Sequence, residues 1–210
     1  MNQAKLREAE EIFLRRFPGG FSHPQMLALT KKHKVAKMKQ LAQASFGVAQ
    51  FANAGHIIEA MGKVVSQSTL ISLFEKPRFR DLLKVLSDSE KQHLAYGLQE
   101  FLHGDQEFGL GLMTGLLQEY KLAKWPLVTV YPIYYRPETE VFVKPTTAKK
   151  IIEYFELTGL QYQPTPTFAF YQAFREQILQ LKQAVHISLQ ADNAAFCGFL
   201  MMTLEKQPLE

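Results

Sequence analysis

The chain carries a single cysteine, which excludes an internal disulfide, and Cys197 lies in AAFCGFLMM (194–202), an apolar setting that predicts an inert core thiol. Long apolar runs are missing as well. The longest, Ala194 to Leu204, is about half of what a bilayer span needs, so no membrane partner is expected. The N-terminus opens on Lys5, Arg7, Glu8, Glu10 and Glu11 instead of a basic flank and an apolar segment, so no secretory signal is expected and the expected location is the cytoplasm. Motifs of the common catalytic classes are absent too: no P-loop, dinucleotide fingerprint, nucleophile elbow or zinc helix. FGLGLMTG (108–115) has glycines at the wrong spacing for phosphate and sits in helical sequence with no strand before it. The histidines (His23, His33, His56, His93, His103, His186) are scattered, so no local metal pair is encoded and no cofactor is expected.

What is present is an ordinary globular composition, 47% apolar and 21% charged over 210 residues, enough for one buried core and read as a single domain over 1–210. Charge is unevenly placed. Residues 1–40 hold nine Lys/Arg against three acids, whereas the other 170 residues hold 15 basic and 17 acidic groups. Such an excess steers anionic partners, but it also serves solubility.

Periodicity and capping signals predict about nine helices. The first spans 4–16 and stops at FPGG; Ser22 and Gln25 form a capping box with Phe21 and Met26 as its staple; helical patterning resumes over 35–51 and 55–68. FEKPRFRDLLKVL turns at Pro77 into a short amphipathic helix, and Ser87 with Glu90 makes a second capping box for a helix ending at FLHG. There His103 faces the negative end of the dipole and Gly104 takes the left-handed C′ position. Asp105 caps the next helix, whose Gly111 and Gly115 suggest a close helix crossing. Late in the chain Tyr171, Phe174, Ile178, Leu181, Val185 and Leu189 form a packing stripe, and Asp192 caps a last buried helix.

Between these helices the composition turns β-branched and aromatic. Leu127–Tyr135 and Val141–Val143, separated by RPET, predict an inserted β-hairpin, with Pro132 placing the first strand at an edge. On such a strand Glu138, Glu140 and Lys144 share a face, close to the carboxylate and Glu-x-Lys spacing of a metal-dependent nuclease. The lysine stands four residues from Glu140 instead of two, and Phe142 intervenes, so a plain polar face is the simpler reading.

The helix that follows starts at Thr146 or Thr147 and puts lysines where a helix least favours them. Its N-terminal N–H groups carry about half a positive charge, yet Lys149 and Lys150 lie in the first turn and Lys144 approaches from the strand. With Thr146 and Thr147 these lysines compose a candidate site for phosphate or carboxylate. The bland alternative is that water and a Lys149–Glu153 pair relieve the conflict. In KKHKVAKMK (31–39) five lysines spread around the helix instead of lining one stripe, poor geometry for tracking a phosphate backbone and better suited to a solvated turn.

FPGGF (17–21), FEKPRFRDLLK (74–84), LAYGLQEFLHG (94–104), WPLVTVYPIYY (125–135), VFVKP (141–145) and LQYQPTPTFAFY (160–171) resemble a family of stand-alone bacterial proteins of about this length. The resemblance covers nearly the whole chain and implies a single bacterial domain, without an activity or an assigned site. It weakens at FCGFLMMTL (196–204), where a tryptophan-containing ending is expected.

The sequence therefore reads as mainly α, a single-domain multi-helix bundle with a helical part over 1–122, a β-hairpin over 125–144 and C-terminal helices over 146–204. The preferred function is non-catalytic binding of an anionic ligand or nucleic acid at Lys144, Thr146, Thr147, Lys149 and Lys150; a homo-oligomer stays open. Two rivals are a small enzyme using Glu138, Glu140 or His103 between hairpin and helices, and an interaction protein working through an exposed aromatic surface.

Overall fold

Short polar side chains that accept from orphan backbone N–H groups mark most of the helix starts. In the computed structural model, which describes residues 1–204, Asn2 accepts from Lys5 N–H at 3.1 Å to open α1 (Gln3–Arg16), and Asn53 accepts from His56 N–H at 3.0 Å to open α4 (Ala54–Gln67). Between them lie α2 (Pro24–Lys32) and α3 (Val35–Ser45). The capping box of Ser87 and Glu90 is formed and starts α6 (Asp88–His103) after α5 (Glu75–Val85). Asp105 caps α7 (Gln106–Glu119) at 3.0 Å, Thr167 caps α10 (Phe168–Gln183), and Asp192 accepts from Ala195 N–H at 2.8 Å at the head of α11 (Asn193–Leu204). With α8 (Trp125–Tyr135) and α9 (Pro145–Tyr154), the described residues hold eleven α-helices and no strand; the part of the single-domain reading that covers 205–210 lies outside them.

The hairpin is thus corrected. Trp125–Tyr135 is a helix whose residues from Trp125 to Tyr134 are all buried, and Val141–Val143 is an extended segment without strand pairing. A helix buried on every side loses the polar face that produces a helical period, so its β-branched and aromatic residues read as a strand. Pro126 sits in the first turn, where its missing N–H costs nothing, and Pro132 is tolerated inside because neighbouring helices clamp the segment. Thr129 is its internal joint: its hydroxyl donates to Trp125 O at 2.7 Å and accepts from Val143 N–H at 3.1 Å, tying the extended segment to the central helix.

Three further expectations are corrected. The close crossing of α6 and α7 runs through Gly97 and Gly109, since a Cβ on Gly109 would stand 2.2 Å from Phe101 N and 2.6 Å from Gly97 O; Gly111 and Gly115 would meet nothing within 4 Å. Gly104 ends α6 at φ −126°, outside the left-handed region, and its missing Cβ instead admits the Glu100 carboxylate. Ser22 is not a cap either. FPGGF turns through Gly19 (φ 86°) and Gly20 (φ 63°), which delays the helix to Pro24 and makes the His23 ring its cap, Nδ1 accepting from Gln25 N–H at 3.3 Å.

The packing stripe is buried as read, although Val185 and Leu189 lie beyond the end of α10. Cys197 is only half-buried, but burial around its thiol raises the pKa to about 12, which keeps it protonated.

Candidate anion-binding corner

The start of α9 is built from beneath by apolar anchors. Val141, Val143, Ala148 and Ile151 are buried, and the Val143 bond to Thr129 fixes the backbone entering the helix. Pro145 is the first helical residue, one or two positions earlier than expected, with Lys144 as N-cap. Lysine offers no acceptor, so this end has no side-chain cap, and no acid stands in its first turn. The first intrahelical donor is Ala148 N–H, to Lys144 O at 2.8 Å, and Pro145 has no N–H. The N–H groups of Thr146 and Thr147 are therefore the donors that the first turn presents outward.

The lysines do not find carboxylates. Among the described residues Lys144, Lys149 and Lys150 form no ion pair, and the Lys149–Glu153 pair that would relieve the dipole conflict is not made. Lys149 instead places its ammonium 4.8 Å from the centre of the Tyr162 ring, while the nearby Glu156 is engaged by Lys5 at 2.9 Å. Lys144, Thr146, Lys149 and Lys150 are exposed, and Thr147 is half-buried with its hydroxyl donating to Met201 Sδ at 3.6 Å. The five residues thus lie along the first two turns of α9, four of them open to solvent, and the earlier start puts Lys149 and Lys150 in the second turn instead of the first.

Tyr162 is the residue that the sequence pattern did not offer. Burial raises its pKa, so it remains a neutral phenol under the lysine. Its neighbour Gln163 accepts from Trp125 Nε1 at 2.6 Å, and Phe170 packs on both Tyr162 and Trp125. One short segment therefore touches the start of α9 on one side and the start of α8 on the other, where Lys124 is likewise an exposed N-cap without a cap bond.

The residues proposed for an enzyme do not converge. Glu140 is buried and accepts from Arg175 Nη1 and Tyr171 OH, both at 2.8 Å, and from Gln106 Nε2 at 3.2 Å; its own carbonyl accepts from Asn193 Nδ2 at 2.8 Å. The nuclease-like face is lost with the strand, since Glu138 and Lys144 are exposed and Glu140 is consumed in this network. His103 is in the last turn of α6, but its ring is held between Phe51 and Tyr135 and Nε2–H donates to Phe46 O at 2.8 Å. It shares no partner with Glu140.

In the basic run, Lys39 pairs with Asp192 at 2.8 Å and serves packing, whereas Lys31, Lys32, Lys34 and Lys37 are exposed around the α2–α3 turn. Lys34 holds that turn in the left-handed region (φ 54°). A groove of about 550 Å³ between α6 and α7 is floored by Gly111, Leu112, Gly115 and Leu116, with Glu90, His93 and Glu119 on its rim; it does not include the α9 lysines. Glu90 is already occupied there by Ser87 and Tyr120, bonds that hold its carboxyl below the usual range. No helix among the described residues is long and apolar enough to cross a membrane.

Comparison with protein-family models, curated proteins and solved structures returned no match, so the reading rests on the chemistry of these residues.

Proposed function

We propose that the chain is a non-catalytic, cytoplasmic binding protein for a small anion of phosphate or carboxylate type, held at the start of α9. The observation that carries this reading is the uncapped helix end with three unpaired lysines around it, one of them turned onto Tyr162 instead of toward Glu153. An anion there accepts from the Thr146 and Thr147 N–H groups and the Thr146 hydroxyl, while Lys144, Lys149 and Lys150 offset its charge. The two receiving amides, of Thr146 and Thr147, lie within one turn, which suits a single anionic group better than a polynucleotide.

Thermal unfolding with and without phosphate tests it. A ligand at about ten times its Kd stabilises by about 1.4 kcal/mol, which for a chain of this size moves Tm by roughly 3–6 °C. Lys150→Glu is the informative variant. Lys149→Glu gives up a ring contact of about 0.5–1 kcal/mol along with the charge. Lys150 has no such contact and stands in the second turn, where the dipole has largely faded, so Lys150→Glu is expected to leave the Tm of the ligand-free protein near that of the wild type and to abolish the phosphate shift. Short oligonucleotides that stabilise the wild type where phosphate does not would move the function to nucleic acid; a Tm unmoved by phosphate, carboxylates or oligonucleotides rejects the site.

A further inference from the structure

Away from this corner, two large apolar side chains stand almost wholly in solvent: Leu73 is 81% exposed and Phe74 is 85% exposed, next to each other at the entrance to α5. Their exposure is imposed by local structure. Ser72 and Glu75 bracket them in a reciprocal cap, Ser72 Oγ donating to the Glu75 carboxylate at 2.8 Å and accepting from Glu75 N–H at 3.2 Å, while Ser72 N–H donates to the same carboxylate at 3.3 Å. Ile71 is buried directly before the bracket and Phe79 one turn after it, so the pair is presented on a fixed turn between two anchors.

Cations follow that tip along the helix. Lys76, Arg78 and Arg80 follow within the first two turns of α5, Arg78 and Arg80 exposed; of the acids beside them, Glu75 has its carboxylate engaged by the cap and Asp81 is paired with Lys84 at 3.0 Å and with Arg80 at 3.7 Å. Pro77, also exposed, keeps the turn apolar between them. A protein interface needs roughly 800 Å² of complementary surface on each partner, far more than two projecting side chains within a polar, basic surround. Two projecting apolar groups followed by cations along the same helix match instead the two signals that peripheral attachment to an anionic bilayer requires, apolar insertion and attraction to headgroups.

We propose that the entrance to α5 is a docking surface for an anionic lipid bilayer, with Leu73 and Phe74 entering the interface and Lys76, Arg78 and Arg80 meeting the headgroups. No membrane span is needed for such a contact, and the surface is independent of the α9 corner.

Flotation of the full chain with vesicles tests this, using three parts phosphatidylcholine to one part phosphatidylglycerol against pure phosphatidylcholine. Binding to the anionic vesicles alone is expected, weakening as salt rises. Leu73→Ser with Phe74→Ser is expected to lower the partition coefficient on the order of tenfold or more through lost apolar insertion. Lys76→Gln with Arg78→Gln is expected to lower it roughly tenfold or more through lost headgroup attraction. Val48→Ser, an exposed apolar side chain elsewhere (62%), is expected to leave binding unchanged. All three variants change exposed positions except for the half-buried Lys76, and circular dichroism confirms that they fold. No binding by the wild type, equal binding to both vesicles, or binding that survives the double serine change overturns the proposal. Concentration-dependent self-association removed by the same double serine change, without vesicle binding, assigns the surface to a second copy of the chain and overturns it equally.

Discussion

Removing the Glu140 side chain should damage the fold more than removing any exposed acid, and the structure sets the size of the effect. Glu140→Ala leaves Arg175, whose side chain is 16% exposed, without its carboxylate at 2.8 Å, and leaves the fully buried Tyr171 hydroxyl with only the Val141 carbonyl, at 3.4 Å, as acceptor. Breaking a buried pair from one side costs about 3–5 kcal/mol, because an uncompensated charge stays in a poorly solvated place. At roughly 2–4 °C per kcal/mol for a chain of this length, Tm should fall by about 6–20 °C. The Asn193 bond to the Glu140 carbonyl survives the substitution, so the segment remains attached and the loss reports on the side chain. Urea unfolding followed by circular dichroism measures it, with Arg175→Met and the double variant completing a cycle. Removing both charges together should cost less than the sum of the single losses, with a coupling of about 0.5–3 kcal/mol. Additive losses, or a Glu140→Ala cost below about 1 kcal/mol, would refute the view that this network joins the 137–143 segment to α7 and α10.

Two hydroxyls in the same core should respond in opposite ways. Tyr131 OH is buried without a partner among the described residues, whereas Tyr171 OH donates to Glu140, so Tyr131→Phe should leave urea stability unchanged or higher and Tyr171→Phe should cost about 1–3 kcal/mol; the reverse order contradicts the assignment. Stability should also fall on the alkaline side. Burial raises the pKa of Tyr131 and Tyr171 well above the ordinary 10.0 and that of Cys197 from 9.0 to about 12, so the folded state keeps protons that the unfolded state releases. This contribution is complete below the unfolded values and is lost as pH rises from about 9 toward 12. A urea midpoint that stays level from about pH 8 to 11 would contradict it.

Helix starts were legible where a short polar residue precedes an apolar period, as at Ser87, Asp105 and Asp192, because a cap is a local bond written within four residues. α8 was not, because full burial erases the period; the signal that could have found it was Pro126 opening an eleven-residue run too long for most strands. The same loss of locality governs the sites. The lysines of α9 stand out in sequence since they conflict with their own helix, whereas Tyr162 belongs to the corner only through the fold. Glu140 was read as part of a polar strand face because Arg175, 35 positions away, gives no local sign of the pairing that buries it. Ser72 and Glu75, by contrast, carried a readable S-x-x-E cap whose consequence, the outward turn of Leu73 and Phe74, is visible only in three dimensions.

The central claim is that the Thr146 and Thr147 N–H groups at the head of α9 receive an anion. Amide nuclear magnetic resonance during a phosphate titration, with chloride at matched ionic strength as control, addresses those two groups individually. Saturable downfield movement of both amides with phosphate, absent with chloride and reduced in Lys150→Glu, is the predicted result. Amides that stay in place, or that drift equally with either salt, contradict the account.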